Sequence, residues 1–137
     1  MYSKKHIKKL LRIVHCKKLL VPAGFASKSH NWVRKQYNGI GAEWMPQWIR
    51  ALMTKMFALF EPAALVHDCE FAYKEKSYYR FTIANLRLAA NGAKLGHPFA
   101  GAACALLCQI LGRSAYYDGK ESMSYCNFYK ETENGTH

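Results

Sequence analysis

His67 and Asp68 stand side by side in Ala63-Ala64-Leu65-Val66-His67-Asp68-Cys69-Glu70-Phe71-Ala72-Tyr73, an apolar run that opens just after Glu61-Pro62. An imidazole exchanges a proton near neutral pH, and a carboxylate is a ligand for hard cations. Proline is tolerated at the first helical position, so the run is expected to be a helix beginning at Glu61-Pro62. On that helix His67 and Asp68 would be about 100° apart. They could face one cavity from neighbouring directions without bonding each other. The imidazole would then handle a proton while the carboxylate holds a cation. An adjacent His-Asp pair is also common as plain structure, and alone it does not choose between the two roles.

A second stretch, Tyr37-Asn38-Gly39-Ile40-Gly41-Ala42-Glu43-Trp44-Met45-Pro46, has two glycines flanking one residue. Glycine admits positive φ and lets backbone carbonyls approach a ligand closely. The same Asn-Gly start also makes an ordinary turn. Cys104 and Cys108 are one helical turn apart, but no second Cys or His pair stands at metal-ligand spacing. They read as small core residues rather than as a zinc site.

The elements that must position these residues are mostly helical. Lys4 to Val14 reads as a short basic helix with an apolar stripe of Ile7, Leu10, Leu11 and Val14. It is expected to dock on its own domain, with a membrane surface as the other option. Leu19-Leu20-Val21 is the one short strand candidate, and Pro22-Ala23-Gly24 is a turn. Ala26 to Gln36 reads as a loop or short helix anchored by Trp32. Gln47 to Phe60 reads as an amphipathic helix whose core stripe is Trp48, Leu52, Met56 and Leu59. The His67-Asp68 helix follows to about Lys74. Ser77 caps another helix, expected to stop near Asn91-Gly92. Phe99 to Leu111 is thirteen residues with only Gln109 polar. A bilayer span needs about twenty, so this segment reads as a buried helix. The expected class is therefore all-α. A basic segment spans 1–18, one helical domain 19–130, and a flexible tail 131–137.

Charge narrows the partners. The net charge is +11, and no acidic residue precedes Glu43, whereas ten Lys and Arg residues fall between Lys4 and Lys35. Such a chain should seek a polyanion: an anionic membrane, nucleic acid or an acidic virion protein. Lysines interrupt the apolar residues of Met1 to Val14, so no secretory signal is expected there. Five cysteines in an uneven scatter fit reduced thiols, in a virion or host cytoplasm. No small-molecule cofactor is expected, and composition leaves the oligomeric state open.

Asn38-Gly39-Ile40-Gly41, followed about twenty-five residues later by His67-Asp68 and Phe71, resembles the phospholipase A2-like superfamily, especially its small phage and bacterial members. Val21-Pro22-Ala23-Gly24-Phe25 upstream of an Ala-rich His-Asp helix is also similar to a group of uncharacterised phage proteins. The resemblance covers roughly residues 20 to 92. It implies an antiparallel helix pair carrying the His-Asp motif, with calcium as the cofactor. The carbonyls of Gly39, Ile40 and Gly41 and the Asp68 carboxylate would hold that ion. His67 would be the general base that activates a water against an ester. Calcium takes about six to eight oxygens and would polarise the ester carbonyl.

The pattern departs from the family in two places. The family's tyrosine three residues after the aspartate is Phe71 here. Its second helix carries an aspartate that orients the histidine, at a position that spacing puts near Tyr78, yet no Asp or Glu lies between Lys76 and Tyr117. The orienting network is then missing, or rebuilt from Tyr73, Tyr78 or Asn85. Three functions follow. The first is a phage-type structural or delivery component on this scaffold, weakly active or inactive. The second is a calcium-dependent phospholipid esterase, and the third a basic nucleic-acid-binding module.

Overall fold

A computed structural model of the chain describes residues 2–37 and 47–118. Seven α-helices run through them: α1 (Lys4–Cys16), α2 (His30–Gln36), α3 (Gln47–Leu59), α4 (Glu61–Phe71), α5 (Tyr78–Lys94), α6 (Pro98–Leu111) and α7 (Arg113–Asp118). There is no strand among the described residues. Gly39, Ile40, Gly41 and Trp44, together with the tail, lie outside them.

α4 is the centre because it is buried on almost every side. Ala63, Ala64, Leu65, Val66 and Cys69 are all buried, and α1, α2, α3, α5 and α7 pack around them. A helix hydrophobic all round belongs in the interior. Pro62 opens α4 at its first turn, and Glu61 places a carboxylate at the positive end of the helix dipole. Glu61 Oε1 accepts hydrogen bonds from Tyr37 Oη at 3.1 Å and contacts His6 Nε2 at 2.8 Å, tying α1 to α4.

α1 docks on the domain as the spacing suggests. Ser3 caps it by accepting from the His6 amide, and Ile7, Leu10 and Val14 are buried while the lysines face solvent. The strand expected at Leu19-Leu20-Val21 does not form. Instead the buried Asn91 side chain accepts from the Leu20 amide at 2.7 Å and donates to the Leu20 carbonyl at 2.8 Å. One amide thus satisfies both backbone groups that a neighbouring strand would have paired. Gly24, at φ 81°, closes the turn after Pro22. Replacing Asn91 with alanine should cost about 2–4 kcal/mol, because two hydrogen bonds go and a cavity opens at a fully buried position. Urea denaturation reads this directly; an unchanged midpoint would mean that Leu20 finds another partner.

α3 exposes the face expected to be core. Trp48 is 70% and Leu59 55% exposed, and Leu52 also faces out. Met56 of that stripe does pack against the core, beside the buried Ile49, Phe57 and Phe60. The helix carries two apolar stripes of equal periodicity, and packing against α4 and α6 selects the second.

α5 continues past Asn91-Gly92 and ends at Lys94, with Gly96 at φ 87° in the turn that follows. α6 then returns antiparallel: Gly92 faces Gly101, and Asn85 faces Gln109. Gly92 therefore permits helix contact rather than ending the helix. In α6, Gly101, Cys104, Ala105 and Cys108 are buried, while Phe99, Leu106 and Ile110 are exposed. The expectation of a wholly buried helix holds for one face only. No helix among the described residues is long and apolar enough to cross a membrane.

Candidate functional site

His67 sits on the inner face of α4 and is 4% exposed. Its ring lies against Phe71, with centroids 4.2 Å apart, and near Phe57 at 6.4 Å. α5 runs antiparallel beside it and supplies Asn85, whose Oδ1 is 2.8 Å from His67 Nε2. Asn85 Nδ2 donates to Gln109 Oε1 of α6 at 2.6 Å. Gln109 Nε2 in turn donates to Thr82 Oγ1 and Tyr78 Oη. An amide oxygen can only accept, so this relay assigns the proton of the neutral imidazole to Nε2. Nδ1 is left with a lone pair, buried and without a hydrogen-bond partner among the described residues.

Burial holds the imidazole neutral. Desolvation lowers the His67 pKa to about 4, with the Asn85 hydrogen bond acting weakly in the other direction. A dry, neutral imidazole whose tautomer is fixed can accept a proton at Nδ1 but gains little help in keeping it. The amide opposite Nε2 carries no charge to offset an imidazolium.

Asp68, next along α4, is half-buried. Its carboxylate acts electrostatically on Tyr37 and on the buried Cys108 thiol. Of the four expected calcium ligands, Asp68 alone lies among the described residues. The calcium positions expected at Gly39, Ile40 and Gly41 lie outside the described residues. Among the described residues no group of three or more His, Cys, Asp or Glu side chains is arranged to hold a metal ion. Cys104 and Cys108 are buried core thiols, and desolvation pushes Cys104 up to about 12.

The histidine's orienting partner is Asn85, not a residue near Tyr78, which joins only through Gln109. The signal was present but ambiguous: Asn85 and Gln109 are the polar positions on otherwise apolar helix faces, and a polar group there needs a partner. The Glu70–Arg87 pair, at 2.8 Å with Glu70 buried, was not legible in advance. Burial raises the Glu70 pKa, and Arg87 opposes that rise.

No family model, curated protein or solved structure matches the chain.

Proposed function

We propose that the protein is a phage-type structural or delivery component on a phospholipase A2-like helical scaffold, weakly active or inactive, that binds an anionic partner. The observation that carries this reading is the amide at Asn85. The relay from Gln109 through Asn85 fixes the His67 tautomer, which serves structure as well as catalysis. What it lacks is the negative charge that would stabilise an imidazolium during proton transfer. In serine proteases, exchanging the equivalent carboxylate for an amide costs about 10⁴ in kcat. Here the tautomer is preserved, so only the charge component of that loss applies. The charge of +11 supports a polyanionic partner.

One observation favours calcium-dependent phospholipid hydrolysis as the second reading: among the described residues nothing bonds Nδ1 of His67, so its lone pair could take a proton from a water admitted with substrate. In that reading Asp68 and the carbonyls of Gly39, Ile40 and Gly41 hold calcium, which would polarise the ester carbonyl.

The two readings part in one assay. Fluorescent phospholipid cleavage is measured against calcium for the native protein, His67→Ala and Asn85→Asp. The structural reading expects little or no His67-dependent turnover in the native protein. The esterase reading expects turnover lost in His67→Ala and raised at least about tenfold in Asn85→Asp, because a carboxylate restores imidazolium stabilisation. Robust calcium-dependent, His67-dependent cleavage by the native protein would overturn the first reading.

A further inference from the structure

A cleft of about 890 Å³ opens beside the α4–α5 connection, with Phe71 between it and the His67 ring. Its floor is the end of α4, its wall is the face of α5 bearing Arg80, Ile83 and Arg87, and its rim is Lys28 and α2. Positions 80, 83 and 87 share one helix face, which is why the two arginines converge. The volume lies in the range of small-ligand sites.

Five cations and two carboxylates line it. Glu70 pairs with Arg87 at 2.8 Å and Glu75 with Arg80 at 2.6 Å, which leaves Lys28 and Lys74 as the cations that these two carboxylates do not offset. Lys28 and Lys74 have no carboxylate partner among the described residues. Two of the lysines are held over rings. Lys28 Nζ lies 4.9 Å from the Trp32 centroid and 5.2 Å from that of Tyr73, and Lys76 Nζ lies 4.5 Å from Tyr116. A cation fixed over an aromatic face loses less freedom when an anion arrives. Tyr79, 74% exposed, adds an aromatic ring to the wall with most of its surface in solvent. Gln36 and Tyr73 also line the cleft, and each keeps a buried polar atom, Oε1 and Oη, without a hydrogen-bond partner among the described residues. Such groups are costly unless something else satisfies them.

Uncompensated lysines beside an exposed ring are the composition that takes a phosphate and a base together. We infer that this cleft binds a nucleoside phosphate unit, with its phosphate on Lys28 and Lys74 and its base against Tyr79. The unit is presented either by single-stranded nucleic acid or by a free nucleotide. The inference rests on the anionic-partner reading above and names that partner's chemistry. It is independent of whether His67 turns over an ester.

The test uses the full chain and fluorescein-labelled dT12, with binding read by anisotropy at several salt concentrations. Lys28→Ala with Lys74→Ala is expected to weaken binding about tenfold or more and to reduce the slope of log K against log salt by about 0.7 per lysine. Tyr79→Ala is expected to weaken binding several-fold while leaving that slope unchanged. Lys8→Ala with Lys9→Ala in α1 serves as a basic control remote from the cleft, and circular dichroism checks that each variant folds. Thymidine monophosphate that displaces dT12 identifies a free nucleotide as sufficient; a failure to displace it, with the cleft variants still weak, identifies the strand. Loss confined to the α1 variant would overturn the cleft site while leaving an anionic partner intact. Binding to phosphatidylglycerol vesicles that depends on Lys28 and Lys74, with no dT12 binding, would overturn the nucleotide assignment. No binding to either polyanion would overturn the nucleotide assignment and leave an acidic protein as the anionic partner.

Discussion

Gly92→Val is expected to unfold the protein or to lower its melting temperature by well over 10 °C. A Cβ at Gly92 would stand 2.8 Å from the Gly101 Cα, which is backbone and cannot rotate aside. α5 and α6 form the most extensively packed helix pair in the molecule, so separating them disturbs much of the core. Two effects oppose each other in the milder Gly92→Ala. Helix propensity gains about 1 kcal/mol, whereas overpacking costs about 1–3 kcal/mol or more. Backbone-to-backbone contact puts this site at the upper end, so the net result is a loss. Gly101→Ala, whose nearest contacts are 3.1 and 3.2 Å, should lose less. Thermal unfolding of the three variants gives the ranking. A Gly92→Val protein as stable as the native one would mean that α5 and α6 do not cross at these glycines.

The second large effect is a dependence of stability on pH that vanishes with His67. The folded-state pKa of about 4 lies below the ordinary value of 6.5. Above pH 6.5 the imidazole is neutral in both folded and unfolded chains, and nothing is lost. Between about 6.5 and 4 the unfolded chain binds a proton that the folded one refuses, so stability falls as pH falls. The interval corresponds to about 3 kcal/mol. Glu70 acts in the opposite sense, because burial raises its pKa and favours its protonated form in the fold. A difference measurement removes that contribution. His67→Gln retains an amide that can donate to Asn85 and does not titrate. Urea denaturation of both proteins from pH 7 to pH 4 should show the native protein losing about 3 kcal/mol more than the variant. Parallel curves would mean that water reaches the imidazole and that His67 is not sealed.

Local pattern carried much of the fold. The basic helix α1, the proline-started helix α4 and the Ser77-capped helix α5 each followed from apolar spacing and a capping residue. These are properties of a few neighbouring residues, and they survive without knowing what packs where. Three readings failed because their deciding partners are remote in sequence. Leu20 is paired by Asn91, seventy-one residues away, so a β-rich tripeptide became an irregular segment. α3 offered two apolar stripes, and only its packing chose Ile49, Phe57 and Phe60. Asn91-Gly92 placed the end of α5 to within two residues but not its role: the glycine packs on α6 and the asparagine pairs with Leu20.

The candidate site divides in the same way. Sequence by itself determined that His67 and Asp68 share a helix, that no carboxylate on the next helix could serve the histidine, and that the chain is strongly basic. Only the tertiary structure decided that Asn85 and Gln109 orient the ring, that Nδ1 is left bare, and that Lys28, Lys74 and Tyr79 meet around one cleft. The reason is physical. A residue's type and its helical periodicity are local, whereas hydrogen-bond partners, burial and convergent charge depend on which helices come to lie side by side.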